Sequence, residues 1–440
     1  MSGVELFRDV FPYVEPPRIL VSGGSKWFEP DRIVVTDTTL RDGQQGWRPF
    51  SVEEGLRIYE ALVELGGDGS IYSAEFFLYT GRDRELVRRV LELGYEYPKP
   101  IGWVRATVSD IRLVAEAGLE ETTVLTSISD YHIYYKFGVT RDRAFEKYLE
   151  AIEEAMKRGI VVRCTLEDAT RASLEKNILP FVERVARLSE RYGVEFRVKV
   201  ADTLGLGLPF REVPPPRGVP RLVEALREAG LRAEQIEFHG HNDLGLVVAN
   251  HLAAWLSGAG MSNCTLLGIG ERAGNCPLEV MLLHYAGLTG RRPKLEALPR
   301  IVEMLESMGL RVPEWQPLVG GNAFRTKAGV HIDGLLKNPE VYLPFDPGIV
   351  GRDYDVAVTA YGGRAAVLLW LRRRLPPGAA TGLDKNDPRV EALYRDVVRL
   401  FEEAGRHTPL SDEEMEELAA KYFPGLLGSA PEAGEEPGHV

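Results

Sequence analysis

Short runs of β-branched or apolar residues recur along the first two thirds of the chain at intervals of roughly 25 to 40 residues, each followed by a charged stretch of helical period. Eight such runs stand out: Arg32–Thr36, Ile71–Phe77, Ile101–Ala106, Glu121–Thr126, Ile160–Leu166, Val194–Val200, Gln235–His239 and Asn263–Leu267. Between them, Val52–Leu65, Asp83–Leu93, Arg141–Arg158, Ile178–Tyr192, Val219–Ala229 and Gly245–Ser257 carry amphipathic helix patterns. Eight alternations predict an α/β fold, the (β/α)8 or TIM barrel, which takes about 250 residues and builds its site from the loops that follow the strands. The barrel is expected over residues 31–290, after an N-terminal extension over 1–30. Beyond it the rhythm changes. Leu295–Met308 reads as a helix, Val319–His331 as a glycine-containing connection, and Pro388–Leu418 as two charged helices around His407-Thr408-Pro409. A smaller, mainly helical C-terminal region over 291–428 and a disordered tail over 429–440, rich in Gly, Pro, Ala and Glu, complete the expected layout.

Charge narrows the partners. Lys plus Arg number 53 against 65 Asp plus Glu in 440 residues, a formal charge of −12. That excess argues against a nucleic-acid surface, so an anionic substrate needs local cations or a metal. The three cysteines, Cys164, Cys264 and Cys276, show no CxxC spacing, which points to a reducing, cytoplasmic setting rather than a disulfide frame or a thiolate zinc cage. The N-terminus lacks the basic start and apolar stretch of a secretory signal, and no apolar run reaches membrane-spanning length.

The strongest chemistry is in two strand ends. Glu237-Phe238-His239-Gly240-His241-Asn242-Asp243 ends an apolar strand, and its two histidines, two residues apart, point to one side. Some 200 residues earlier, Asp37-Thr38-Thr39-Leu40-Arg41-Asp42-Gly43-Gln44-Gln45 ends the strand around Ile33-Val34-Val35. If both strands belong to one barrel, Asp42, His239 and His241 meet at its mouth and bind a divalent metal, with Asn275 as a fourth ligand through its oxygen. Mixed N/O ligation without sulfur suits Mn, Mg, Co or Zn. Arg41 beside Asp42 is placed to stabilise a developing oxyanion. Arg163 offers a carboxylate clamp, Glu167 an acid or base, and Thr203 a hydroxyl donor. A bland account of each exists: a rim salt bridge for Arg41, a turn asparagine for Asn275, a structural role for the others.

These motifs resemble those of the metal-dependent acyl-CoA condensing and cleaving barrels, which include 2-isopropylmalate, homocitrate and citramalate synthases and hydroxymethylglutaryl-CoA lyase. Asp37–Gln45 is similar to that family's first-strand signature, with Gln45 among its substrate contacts. His239–Asp243 is similar to its metal motif, and Gly268-Ile269-Gly270-Glu271-Arg272-Ala273-Gly274-Asn275 to the loop of its synthases, where the lyases instead carry a cysteine. Thr326–Gly334 resembles the synthases' second-domain motif. It implies proton transfer by His331 with Glu167 and Tyr342, and a homodimer in which one subunit's second domain serves the other's barrel. Leu93–Pro98, Gly102–Ala106 and Leu125–Ile133 are most similar to the Re-face-specific citrate synthases, which implies condensation of acetyl-CoA with oxaloacetate. The second carboxylate of that acid would demand a further partner, for which Arg105, Thr126 and His132 are candidates. Against this stand a sister synthase for another 2-oxo acid, a lyase or aldolase, and a barrel whose metal is only structural.

Overall fold

The structure, a computed structural model, describes residues 3–21, 26–376 and 379–424; the expected tail over 429–440 lies outside them. Eight parallel strands, β1 (Val34–Asp37), β2 (Ile71–Phe76), β3 (Lys99–Arg105), β4 (Glu121–Ser127), β5 (Val161–Glu167), β6 (Phe196–Asp202), β7 (Ile236–Gly240) and β8 (Met261–Cys264), close in sequence order, β1 pairing with β8. The predicted barrel is therefore present. Helices follow the strands, among them α1 (Val52–Gly66), α2 (Gly81–Leu93), α3 (Val108–Glu116), α4 (Arg141–Lys157), α5 (Leu179–Tyr192), α6 (Val219–Glu228), α7 (Val247–Leu256) and α8 (Leu278–Thr289). Helix α1 starts on a capping box in which Ser51 and Glu54 satisfy each other's backbone N–H groups.

The eighth strand ends earlier than its sequence suggests. Leu266–Gly268 forms a tight turn with Leu267 at φ 54°, so the apolar pair Leu266-Leu267 redirects the chain instead of extending it.

Alternation along the strands sorts two environments. On β5, Val162, Cys164 and Leu166 alternate with Arg163, Thr165 and Glu167; on β7, Ile236 and Phe238 alternate with Glu237 and His239. The polar set faces the barrel's inside, because Arg163 Nη1 reaches Glu237 Oε1 at 2.6 Å, two strands away, and Lys199 of β6 bonds Glu75 of β2. Side chains that fill such barrels are usually branched and apolar. Here four cations, Arg41, Arg163, Arg197 and Lys199, face four carboxylates, Asp42, Glu75, Glu121 and Glu237, in a connected set of ion pairs. Charges this deep persist only when paired and hydrogen-bonded.

The chain divides into two compact units, residues 1–12 with 16–311, and residues 13–15 with 312–440. Helix α9 (Leu298–Ser307), expected beyond the barrel, belongs to the barrel's unit. In the second unit a two-stranded parallel sheet, Arg325–Thr326 with Asp355–Val356, accompanies α10 (Gly329–Lys337), α11 (Gly363–Arg374), α12 (Pro388–Glu402) and α13 (Asp412–Ala420). His331 thus lies on a helix and not in a connection. Among the described residues, no helix is long and apolar enough to cross a membrane.

Candidate active site

After β1 the chain folds back in one tight turn. The Thr38 carbonyl accepts the N–H groups of Arg41, Asp42 and Gly43, while Asp37 accepts from the Thr39 N–H at 2.8 Å and its hydroxyl at 2.7 Å. This winds Arg41 and Asp42 over the barrel's mouth. Gly46 then runs against the loop after β8: a Cβ there would meet backbone atoms of Gly270 at 2.1 to 2.6 Å, so only glycine allows the approach. That loop turns at Gly274, φ 89°, and delivers Asn275, whose Nδ2 donates to Asp42 Oδ2 at 2.7 Å.

The expected ligands converge. The Nε2 atoms of His239 and His241 lie 3.3 Å apart, and each is 3.7 Å from Asp42 Oδ2. Asn263 Oδ1 lies 2.8 Å from His239 Nδ1 and, as acceptor, assigns the proton there, leaving the Nε2 lone pair directed inward. Burial, with His241 alongside, pushes the His239 pKa down to about 3; burial also lowers that of His241, against the pull of Asp42. Burial opposes ionisation of Asp42, yet Arg41 and both histidines hold its carboxyl below the usual range. The two Nε2 atoms thus face one another beside a carboxylate, and His241 Nδ1 and Asn275 Oδ1 are buried without hydrogen-bond partners. A point equidistant from the three ligand atoms lies about 2.1 Å from each, the length of bonds from such metals to nitrogen and oxygen. The donor set fits one divalent cation.

Arg41 is held for work beside it. Its Nη1 bonds Asp42 at 3.0 Å, Nε and Nη2 bond Glu75 at 3.3 Å, and its guanidinium lies 5.3 Å from the Trp103 ring centre. A cavity of about 210 Å³ opens over these groups; Gln45, Glu167 and Thr203 also border it. The Thr203 hydroxyl accepts from the Asp168 N–H at 2.8 Å, which leaves its own proton to donate. Burial works against the Glu167 carboxylate, but His132, Lys136 and Ser127 outweigh it and bring its pKa down to about 2.

The HMGL-like family description matches residues 32–308, and that of the homocitrate synthase post-HMGL domain matches residues 318–399. This chain belongs to the HMGL-like family. It is 39% identical to the Citrate (Re)-synthase of Clostridium kluyveri, over 97% of this chain and 96% of that one. It is 40% identical to the 2-phosphinomethylmalate synthase of Streptomyces hygroscopicus, over 95% and 96%. The hydroxymethylglutaryl-CoA lyase of Pseudomonas aeruginosa shares the fold at TM-score 0.51 and 18% identity, over 66% of this chain and 95% of that one.

Within this HMGL-like barrel not every expected residue reaches the cavity wall. Arg163 does not border the cavity: fully buried, it spends Nε and Nη2 on Glu121 and Nη1 on Glu237. His132 does not border it either, its Nδ1 lying 3.1 Å from Glu167 Oε2. Arg105 points out to Asp110, and Thr126 donates to the Thr165 carbonyl at 2.6 Å. What the motifs passed over is Lys199, Thr165 and Trp103, all on the cavity wall. For Lys199 and Thr165 the signal was a polar residue at alternating positions of an otherwise apolar strand. In the second unit, the His331 and Tyr342 rings stack at 4.2 Å, both on exposed residues.

Proposed function

We propose that the protein is a divalent-metal-dependent synthase that condenses acetyl-CoA with a 2-oxo acid, oxaloacetate giving citrate. The observation that carries this is the convergence of Asp42, His239 and His241 beside Arg41 in a cavity sized for a small acid. Identity to a Citrate (Re)-synthase along nearly the whole chain supports the choice of acid.

Asp42, His239 and His241 would hold the metal, which when bound supplies Lewis acidity to a ketone and its neighbouring carboxylate. Asn275 steadies Asp42. The Thr203 hydroxyl donates to the carboxylate of the oxo acid. His331, stacked on Tyr342, takes a proton from the acetyl methyl group, and the enolate carbon bonds to the ketone carbon. Arg41 faces the alkoxide that forms, where a fixed guanidinium in a dry site acts most strongly. Glu167, strongly acidic in its ion pairs, serves to hold His132 and Lys136 and becomes a proton carrier only if those pairs open. The alkoxide then takes up a proton, balancing the one removed from the methyl group, and water cleaves the thioester to a carboxylate, releasing CoA and one proton. Manganese as the ion, a homodimer and a cytoplasmic location complete the proposal.

The test is thiol release from acetyl-CoA by the Mn-loaded protein with oxaloacetate, 2-oxoisovalerate, 2-oxoglutarate and pyruvate in parallel. Turnover with oxaloacetate is expected. Preference for another acid moves the assignment to a sister synthase, and no thiol release with any acid overturns the condensation. Sedimentation velocity checks the dimer.

A further inference from the structure

We infer that Lys199 and Thr165 form a receptor for a second carboxylate on the 2-oxo acid, and so select a short dicarboxylic substrate. The inference rests on the proposed condensation and names the substrate feature that its cavity reads.

Lys199 is 1% exposed, yet it reaches the cavity wall. Its ammonium has three donors, of which one bonds Glu75 Oε1; Glu237 Oε2 lies 3.2 Å away as an ion pair without a hydrogen bond. Neither carboxylate depends on it alone, since Arg41 also bonds Glu75 and Arg163 also bonds Glu237. Donor capacity is left for the cavity. Thr165 stands beside Lys199, the two being paired in register on β5 and β6 with both side chains on the barrel's inner face. Its hydroxyl is buried and has no hydrogen-bond partner, while the residue borders the same cavity. A buried hydroxyl without a partner is destabilising unless a ligand completes it. An ammonium and a hydroxyl side by side match the two oxygens of a carboxylate.

Charge balance leads to the same place. The four cations and four carboxylates inside the barrel cancel. A divalent cation on Asp42 and two neutral imidazoles adds two positive charges to that set. A dianionic substrate offsets more of that added charge than a monoanion does. The other two cations on the cavity wall are already spoken for, Arg41 by Asp42 and Glu75, Arg272 by Asp243 at 2.7 Å.

The test is calorimetric titration of the Mn-loaded protein with malate and lactate, unreactive 2-hydroxy acids that differ by one carboxylate. The wild type is expected to prefer malate by about 100-fold, the value of one well-placed charged contact pair. Lys199→Met abolishes that preference, and Thr165→Val, which removes one oxygen and no protein hydrogen bond, reduces it by about 10-fold with the melting temperature unchanged. Should Lys199→Met fail to fold because its two carboxylates lose a counter-ion, Thr165→Val decides alone. A malate preference retained in the folded variants overturns the receptor and leaves the condensation standing. A wild type that binds the two acids equally and condenses a monocarboxylic 2-oxo acid overturns both the receptor and the assignment of oxaloacetate.

Discussion

Among the described residues, two buried groups in the barrel's unit have the makings of a metal site: Asp42, His239 and His241 at the mouth, and His251, Cys264 and Cys276 between α7, β8 and the loop beyond it. Each offers three ligand atoms within 4.8 Å of one another, and every member is buried. Ligand count and burial do not separate them; protonation and access do. At the mouth one ligand is held as an anion, burial disfavours protonation of both imidazoles, their Nε2 atoms converge, and a cavity leads in. In the second group Ser262 absorbs the donors. Its hydroxyl lies 2.7 Å from His251 Nδ1, and Cys264 Sγ lies 3.4 Å from that hydroxyl and donates to the Ser262 carbonyl at 3.6 Å. The Phe238 ring stands edge-on to the His251 imidazole. Burial, then the Cys264 contact, push the Cys276 thiol well above its ordinary range, so thiolate ligands there would have to form against the environment. The first group has the chemistry of a binding site and the second that of a core.

The largest consequence falls on the mouth. His239→Ala is expected to take bound metal from one ion per chain to none and to lower acetyl-CoA thiol release by at least about 10³-fold. Elemental analysis of dialysed protein reads the first and a thiol assay the second. Metal retained at one equivalent in this variant would reverse the comparison between the two groups.

A smaller effect is expected one bond further out. Asn263 fixes the proton on His239 Nδ1 and is itself held by its Nδ2 donating to Thr36 Oγ1 at 3.0 Å. Asn263→Leu keeps the ligands but frees the ring, and metal affinity should fall about 10- to 100-fold, as measured by chelator competition. An unchanged affinity would mean that the ring is oriented by packing and not by this hydrogen bond.

The difference between the groups also marks how far the sequence was legible. His-x-His at a strand end and an acid after β1 could be read, because the periodicity that makes a strand also fixes the direction of its side chains. The barrel followed from eight alternations for the same reason. What could not be read was depth. Arg163 and Thr165 sit two residues apart on one face of β5, and only the closure of the barrel puts the first among Glu121 and Glu237 and the second on the cavity wall. Lys199 lay inside an apolar run and drew no notice, although a lysine at the alternating position of Arg197 and Ala201 marked an inner polar face. Nor did the sequence report that Cys264 and Cys276 meet, since their partner His251 comes from a helix and their approach depends on the turn at Leu267.

Removing the second group should leave the first untouched. The Cys264→Ala, Cys276→Ala double variant is expected to hold one metal per chain with the wild type's affinity, while losing stability on the order of 2 kcal/mol from the two shortened core side chains. A wild type with two metals, one of them lost in this variant, would make the second group a metal site after all.

The smallest effect is the most direct reading of protonation. In the folded chain the Cys276 thiol is raised above its ordinary value of 9.0, burial being the first cause and Cys264 the second. A folded pKa above the unfolded one means that the unfolded chain loses its proton first, so this thiol's contribution is complete below about pH 9 and declines as pH rises beyond it. Cys276→Ala removes that dependence. The wild type should melt about 2 °C above the variant at pH 7, and the gap should close by pH 10 in a paired thermal scan. A thiolate held by a metal would behave in the opposite sense: stability would fall towards acid pH as the ligand took up its proton, and the gap would persist in alkali. The direction of that change, more than its size, decides which of the two buried groups is built for an ion.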